Sequence, residues 1–263
     1  MTTLFPTYVA WPGSSTSVDW EACVELEGSP DDSALRDLEF VLDRFWHVTA
    51  RGAFVAPGVH PAQASLQATA RAAKALNARC WDLQTVNVDA RFTQVLRNTL
   101  AGFSFTTWPV TGIRLAARQA GVQRPLQALS PLAGEWSLNM DRYPPPYARV
   151  KFPIVSRLRE VDAPRRYEIE FSGVLTSEQA EQIARSLASW GEVGLGGFAE
   201  TEAELIDGAC AILNVSVHQL DDSTIELTAD RFGGGTPARN ALVNLLCHAD
   251  RTVAAIRRVG EEQ

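Results

Sequence analysis

Two stretches of this chain, 145 positions apart, carry the same order of apolar residues, glycines and helix starts, and any fold must accommodate both. From Cys23 to Glu27 apolar and charged side chains alternate, as in a half-buried strand, until Gly28-Ser29-Pro30-Asp31 ends the run. Ser33 is placed to cap a helix with Leu35, Leu38, Val41, Leu42 and Phe45 at helical spacing, and Asp31, Asp32 and Asp37 suit its positive end. Gly52-Ala53-Phe54-Val55 then reads as a second strand. The later segment repeats the order: Tyr167 to Phe171 alternates, Gly173 breaks it, and Ser177-Glu178 opens a helix carrying Ala180, Ile183, Ala184 and Leu187. At the 145-residue offset Val24 meets Ile169, Leu38 meets Ile183, Leu42 meets Leu187, Phe45 meets Trp190 and Val48 meets Val193. After a one-residue deletion Gly52 meets Gly196 and Phe54 meets Phe198. The pattern predicts a duplicated β-α-β unit.

The ends of the halves correspond as well. A helix from Ala90 to Leu100 precedes a strand from Val110 to Ala116, and a helix opening at Pro237 precedes a strand from Val253 to Val259. Between these pieces the halves are expected to differ. The Ala-rich stretch Ala64 to Leu76 favours a helix, whereas Ala211 to Val217 and Thr224 to Ala229 read as a hairpin turning at Leu220-Asp221-Asp222-Ser223. The fold class expected is α+β, with two related β-α-β-containing halves on mixed or antiparallel sheet. The first would occupy 1–122 and the second, acidic one 167–263. Residues 123–166 join them, rich in Pro and Arg yet too apolar for a loose linker, so a packed crossover is expected.

Charge is unevenly spread along the chain. Residues 1–131 hold eleven acids and eleven bases, and 132–166 hold seven bases against four acids. From Tyr167 to Asp230 thirteen carboxylates face a single base, Arg185. Such a field disfavours nucleic acid and attracts a basic protein, unless the crossover's arginines dock on it and neutralise it. Within the run, Glu200, Glu202, Glu204 and Asp207, with Asp221 and Asp222, form a candidate partner-binding patch. The four cysteines show no CxxC spacing and sit among apolar neighbours, so each reads as a small core residue. The segment Met1 to Trp20 lacks a basic region ahead of an apolar one, and no apolar run is long enough to span a bilayer. A cytoplasmic address without membrane contact is expected.

No catalytic motif emerges. His47, His60, His218 and His248 never fall at metal-ligand spacings, no G-x-S-x-G turn occurs, and no metal or cofactor is expected. Gly233-Gly234-Gly235-Thr236 ahead of a helix could offer backbone amides to an anion, but no Lys follows the glycines as a P-loop requires. This loop carries the alternative reading, an enzyme of unrecognised type. A structural or oligomerisation module is a further alternative.

The segment Asp230-Arg231-Phe232, followed by Ala241-Leu242-Val243-Asn244-Leu245-Leu246 and a closing strand, in an acidic duplicated α+β chain, resembles bacterial immunity proteins of polymorphic-toxin and type VI secretion systems. The family it resembles is the one paired with restriction-endonuclease-like toxins. The resemblance implies tight stoichiometric binding to a cognate nuclease toxin. It assigns no residues; the acidic patch follows from charge alone, since nuclease surfaces are basic where they hold phosphate.

Overall fold

A computed structural model describes residues 7–10, 16–73, 75–118, 130–131, 143–157, 164–199 and 201–262. The first half runs β1 (Thr7–Ala10), β2 (Ser17–Leu26), α1 (Asp32–Ala50), a 3-10 turn at Pro61–Gln63, β3 (Ser65–Arg71), β4 (Ala78–Val86), α2 (Phe92–Thr106) and β5 (Val110–Arg118), with a short β6 (Ser130–Pro131) after it. The second runs β7 (Ile154–Arg157), β8 (Arg165–Phe171), α3 (Ser177–Val193), α4 (Glu202–Asp207), β9 (Ile212–Leu213), β10 (Ser216–Asp221), β11 (Thr224–Ala229), β12 (Arg231–Phe232), α5 (Gly235–Thr252) and β13 (Ile256–Glu262). The halves build separate sheets, ordered β3-β4-β2-β5-β1-β6 and β10-β11-β8-β13-β7, beside a two-stranded β12-β9 ribbon. In each large sheet all pairings are antiparallel except one, β1 beside β5 and β7 beside β13. This is an α+β fold, and the duplication extends over every strand of the smaller sheet.

That agreement exceeds the expectation at one point and corrects it at others. Ala64 to Leu76 is not a helix: it contains β3, paired with β4 from Ser65↔Val86 to Arg71↔Cys80 and equivalent to β10. Alanine's helix propensity yields to ladder hydrogen bonds and to Leu66, buried on the inner face. Gly52 to Val55 is a turn with one isolated bridge, Val55↔Val88, because Gly52 takes φ +78° and the Ala53 amide is captured by Val48 O. Ala211 to Val217 breaks into β9 and the start of β10 around Asn214, at φ +53°. The caps fall one or two residues earlier than expected: Asp31 caps α1 through the Ala34 amide, Thr176 and Gln179 form a capping box on α3, and α5 opens at Gly235.

The apolar stripes on the paired helices are those the repeat marked. Leu38, Leu42, Phe45 and Val48 of α1 and Ile183, Leu187, Trp190 and Val193 of α3 are all buried in one continuous core. Near the centre the equivalent phenylalanines Phe54 and Phe198 meet, with ring centroids 6.5 Å apart. Two buried asparagines lock the halves reciprocally. Asn98 of α2 donates to Gly197 O and Ala199 O of the second half, while Asn244 of α5 donates to Ala53 O of the first and to Pro145 O. These carbonyls lie beyond the reach of any helix or sheet ladder, and each would cost about 1–3 kcal/mol if buried unpaired. The crossover is packed where it is described: Tyr143 is fully buried against Phe54, and the Tyr147 amide donates to Asn244 Oδ1.

Candidate functional site

The predicted acidic patch does not form one surface. Thr201 caps the short α4 by accepting from the Glu204 amide at 3.2 Å, and Gly208, at φ +65°, closes it. Leu205 is buried beside Gly196, so the residues after it, Ile206 and Asp207, turn outward and are exposed. Glu204 is half-buried; burial first, and then its charge, push the Cys210 thiol up to about 11. Glu202 opens the helix, and Glu200 lies outside the described residues. Asp221 and Asp222 belong to the β10–β11 turn. Asp221 accepts from the Ser223 amide and hydroxyl, which holds its carboxyl below the usual range, and Asp222 O accepts from the Leu175 amide. That bond pins the turn ahead of the first residue of α3, whereas α4 follows its last. The two groups thus sit toward opposite ends of α3, a helix of 17 residues and about 25 Å at 1.5 Å per residue.

Much of the remaining acidic run is neutralised. On the outer face of the second sheet Arg166 pairs with Glu226 and Glu168, and Arg258 pairs with Glu170 and Glu168. Arg157 reaches Glu262. Arg157, Arg165 and Arg166, assigned to the crossover from sequence, are strand residues of the second half, so with Arg258 the neutralising bases come from within its own sheet. On the inner face Glu261 is wholly buried: Arg239 binds both its oxygens at 3.0–3.1 Å, Tyr167 donates at 2.9 Å, and Arg165 approaches to 3.5 Å while lying over the Phe232 ring. Burial, then the Glu261 charge, raise the Tyr167 phenol well above its ordinary value, so it remains a donor.

The Gly233–Gly235 run serves close packing. A Cβ at Gly233 would lie 2.1 Å from Ala209 O, and one at Gly234 would lie 2.6 Å from the Ala238 side chain. The Gly233 amide donates to Ala211 O, and Thr236 is exposed on the first turn of α5. These contacts account for the glycines without an anion.

Sequence reasoning missed a polar seam between α1 and α3. The helices run antiparallel in a register where paired residue numbers sum to a constant. Arg44 Nη1 donates to Ser189 Oγ at 3.4 Å, His47 Nε2 lies 3.1 Å from Ser186 Oγ, and Gln182, with its amide turned so that the oxygen faces Arg51, accepts from it at 2.6 and 3.2 Å. Burial lowers the His47 pKa to about 4, helped by Arg51, Arg185 and Arg44 and opposed by Asp43. On the other side of α1 a cleft of about 540 Å³ opens toward β3 and β4, lined in part by Asp43, His47, Trp46, Arg71, Arg79 and Trp81. Arg71 and Arg79 there are paired with Glu21, Asp82 and Glu39. Among the described residues no cluster of His, Cys, Asp or Glu could hold a metal.

The depressed His47 pKa has a directional consequence. Between pH 6.5 and about 4 the unfolded chain takes up a proton that the folded chain refuses, so stability falls as the pH drops through that window. His60 and His248, lowered chiefly by burial, act in the same sense. His47→Gln should flatten the slope of urea midpoint against pH in that range. An unchanged slope would assign the dependence to the other two.

No family model and no curated protein matches the chain. Among solved structures it is similar to the periplasmic protease PqqL from Escherichia coli, at 10% identity and a TM-score of 0.23 over 89% of this chain and 34% of that one. A putative M16-like peptidase from Alicyclobacillus acidocaldarius is matched at 10% identity and a TM-score of 0.20, over 94% and 77% of the two chains. The chain thus spans about a third of PqqL. Likenesses this distant assign neither fold nor activity. No helix among the described residues is long and apolar enough to cross a membrane.

Proposed function

We propose that this chain is a stoichiometric inhibitor of the bacterial immunity-protein kind, meeting a basic partner, a nuclease toxin, through the surface around α4. One observation carries the reading: exposed aliphatic side chains lie on acidic α4 and on the segments either side of it. Ile206 is 53% exposed beside Asp207, Leu195 is 50% exposed and Leu213 37%. They share a neighbourhood, since Gly196 packs on Leu205 and Gly194 O accepts from the Ile212 amide. Apolar anchors rimmed by carboxylates suit a partner with a basic surface: the anchors set residence time and the rim sets encounter rate. Asp221 and Asp222, at the far end of α3, are left out of this interface. The cytoplasmic address belongs to the same reading.

The test is co-expression with the adjacent gene in its genome. The neighbour alone should arrest growth, and the pair should grow and co-purify as a stoichiometric complex. Within that complex Ile206→Glu should raise the dissociation rate, and Asp207→Lys should slow association about tenfold and weaken its salt dependence. A harmless neighbour that fails to co-purify removes the inhibitor reading; a complex indifferent to both substitutions moves the interface elsewhere.

A further inference from the structure

The seam between α1 and α3 concentrates positive charge without the counter-charge that accompanies it elsewhere in the molecule. Arg44 and Arg51 project from α1 and Arg185 from α3, with His47 and Ser186 between them. Among the described residues none of the three guanidiniums lies in an ion pair, whereas Arg71, Arg79, Arg114, Arg166, Arg239 and Arg258 all do. The seam's polar partners are neutral: Ser189 for Arg44 and Gln182 for Arg51. Burial and Arg185 together lower the Arg51 pKa, which registers like-charge crowding in a half-buried strip. The carboxylate closest in effect, Asp43, is exposed, and on the sheet side of α1 Glu39, Arg71 and Arg79 are already engaged with one another or with Glu21 and Asp82. A chain of net charge -7 has carboxylates enough to neutralise three arginines, yet among the described residues none lies at bonding distance of these.

We infer that this seam is an oxyanion site that takes a phosphoryl group between Arg51 and Arg185, beside His47, with Arg44 adding positive charge from two turns away. Guanidinium forks match phosphate oxygens in pairs, and a phosphoryl group offers more such oxygens to two arginines than a carboxylate or a halide would. Ser186 Oγ donates to Gln182 O at 2.9 Å and lies 3.1 Å from His47 Nε2, so it holds the imidazole in place beside the arginines. His47 is the reporter, because a bound phosphate anion favours the imidazolium form, so the ring takes up a second proton at higher pH than it does alone. The site is independent of the α4 surface, and its failure would leave the inhibitor reading untouched.

The experiment follows the His47 ring by NMR across pH, with inorganic phosphate, with pyrophosphate, and with chloride at matched ionic strength. Phosphate should raise the His47 pKa saturably from its starting value of about 4, while exposed His218 shifts no more than in chloride. Arg185→Gln, at an exposed position, should weaken phosphate binding about tenfold. With Arg51→Gln added, the His47 pKa should be raised without phosphate and respond no further. Pyrophosphate saturating at much lower concentration than phosphate assigns the site to a diphosphate-bearing ligand; equal affinities assign it to a monophosphate. A His47 titration identical in phosphate and chloride, or full affinity in the double variant, overturns the proposal.

Discussion

Glu261→Ala is expected to destabilise the fold by about 3–5 kcal/mol, the range found when one partner of a buried ion pair is removed. The carboxylate has no solvent exposure and holds two cations. Arg239 can partly escape, its side chain being 34% exposed, but that of Arg165 is 7% exposed and would remain charged in the core. Tyr167 would lose the acceptor of its hydroxyl at the same time. Arg239→Ala should cost distinctly less, because Glu261 keeps Arg165 and Tyr167. Replacing Glu261, Arg165 and Arg239 together by Met should recover much of the loss, since a buried ionic cluster gains little over apolar residues of similar volume. Urea unfolding of the four proteins checks the order. A Glu261→Ala cost within about 1 kcal/mol, the value of a surface pair, would show that water reaches the cluster.

This cluster was within reach of a sequence reading that took strand parity further. Tyr167, Ile169 and Phe171 mark the inward register of β8, and Arg165 falls on the same parity; Val259 does the same for Glu261 in β13. A charge on the buried parity of each of two paired strands is a signal that alternation alone provides. The repeat was legible for the same reason: helical and strand periods recur whatever the surrounding fold. Registers between elements were not legible. Nothing in the spacing of Arg44, His47 and Arg51 says that Ser189, Ser186 and Gln182 will stand opposite them, because that follows from how α1 and α3 cross. The acidic run failed as a surface for a related reason. Strand alternation sent Glu168, Glu170 and Glu226 to the outer sheet face among arginines from both sequence neighbours and β13, while α3 separated α4 from the hairpin turn.

The misreading of Ala64 to Leu76 hid a second feature, and with it the other large effect. With β3 taken for a helix, β4 has no evident place beside β2. In the structure Cys23 and Cys80 stand directly opposite each other across β2 and β4, Cα atoms 4.2 Å apart, joined by a disulfide. They are not small core residues as expected, although Cys210 and Cys247 are buried free thiols. The bond lies on the outer sheet face among the Glu21–Arg71 and Glu25–Arg114 pairs. The repeat-equivalent positions in the second half are Glu168 and Glu226, both bound by Arg166, so one half ties its central strands covalently and the other ionically.

Reducing Cys23–Cys80 is therefore expected to lower stability by about 4 kcal/mol, from the entropy regained by an unfolded chain freed of a closure spanning 57 residues. Urea unfolding with and without reductant measures it, and Cys23→Ala/Cys80→Ala should match the reduced protein and ignore reductant. If reduction leaves the midpoint in place, the unfolded chain already holds β2 and β4 together and the link adds nothing. The expected loss sets the condition on a cytoplasmic address, where thiols are kept reduced. There the two halves would differ in stability, the first relying on ladder hydrogen bonds and packing across β2 and β4. A protein that binds its partner in that compartment would then recover part of the deficit through the complex, because anything that binds the folded form stabilises it by mass action.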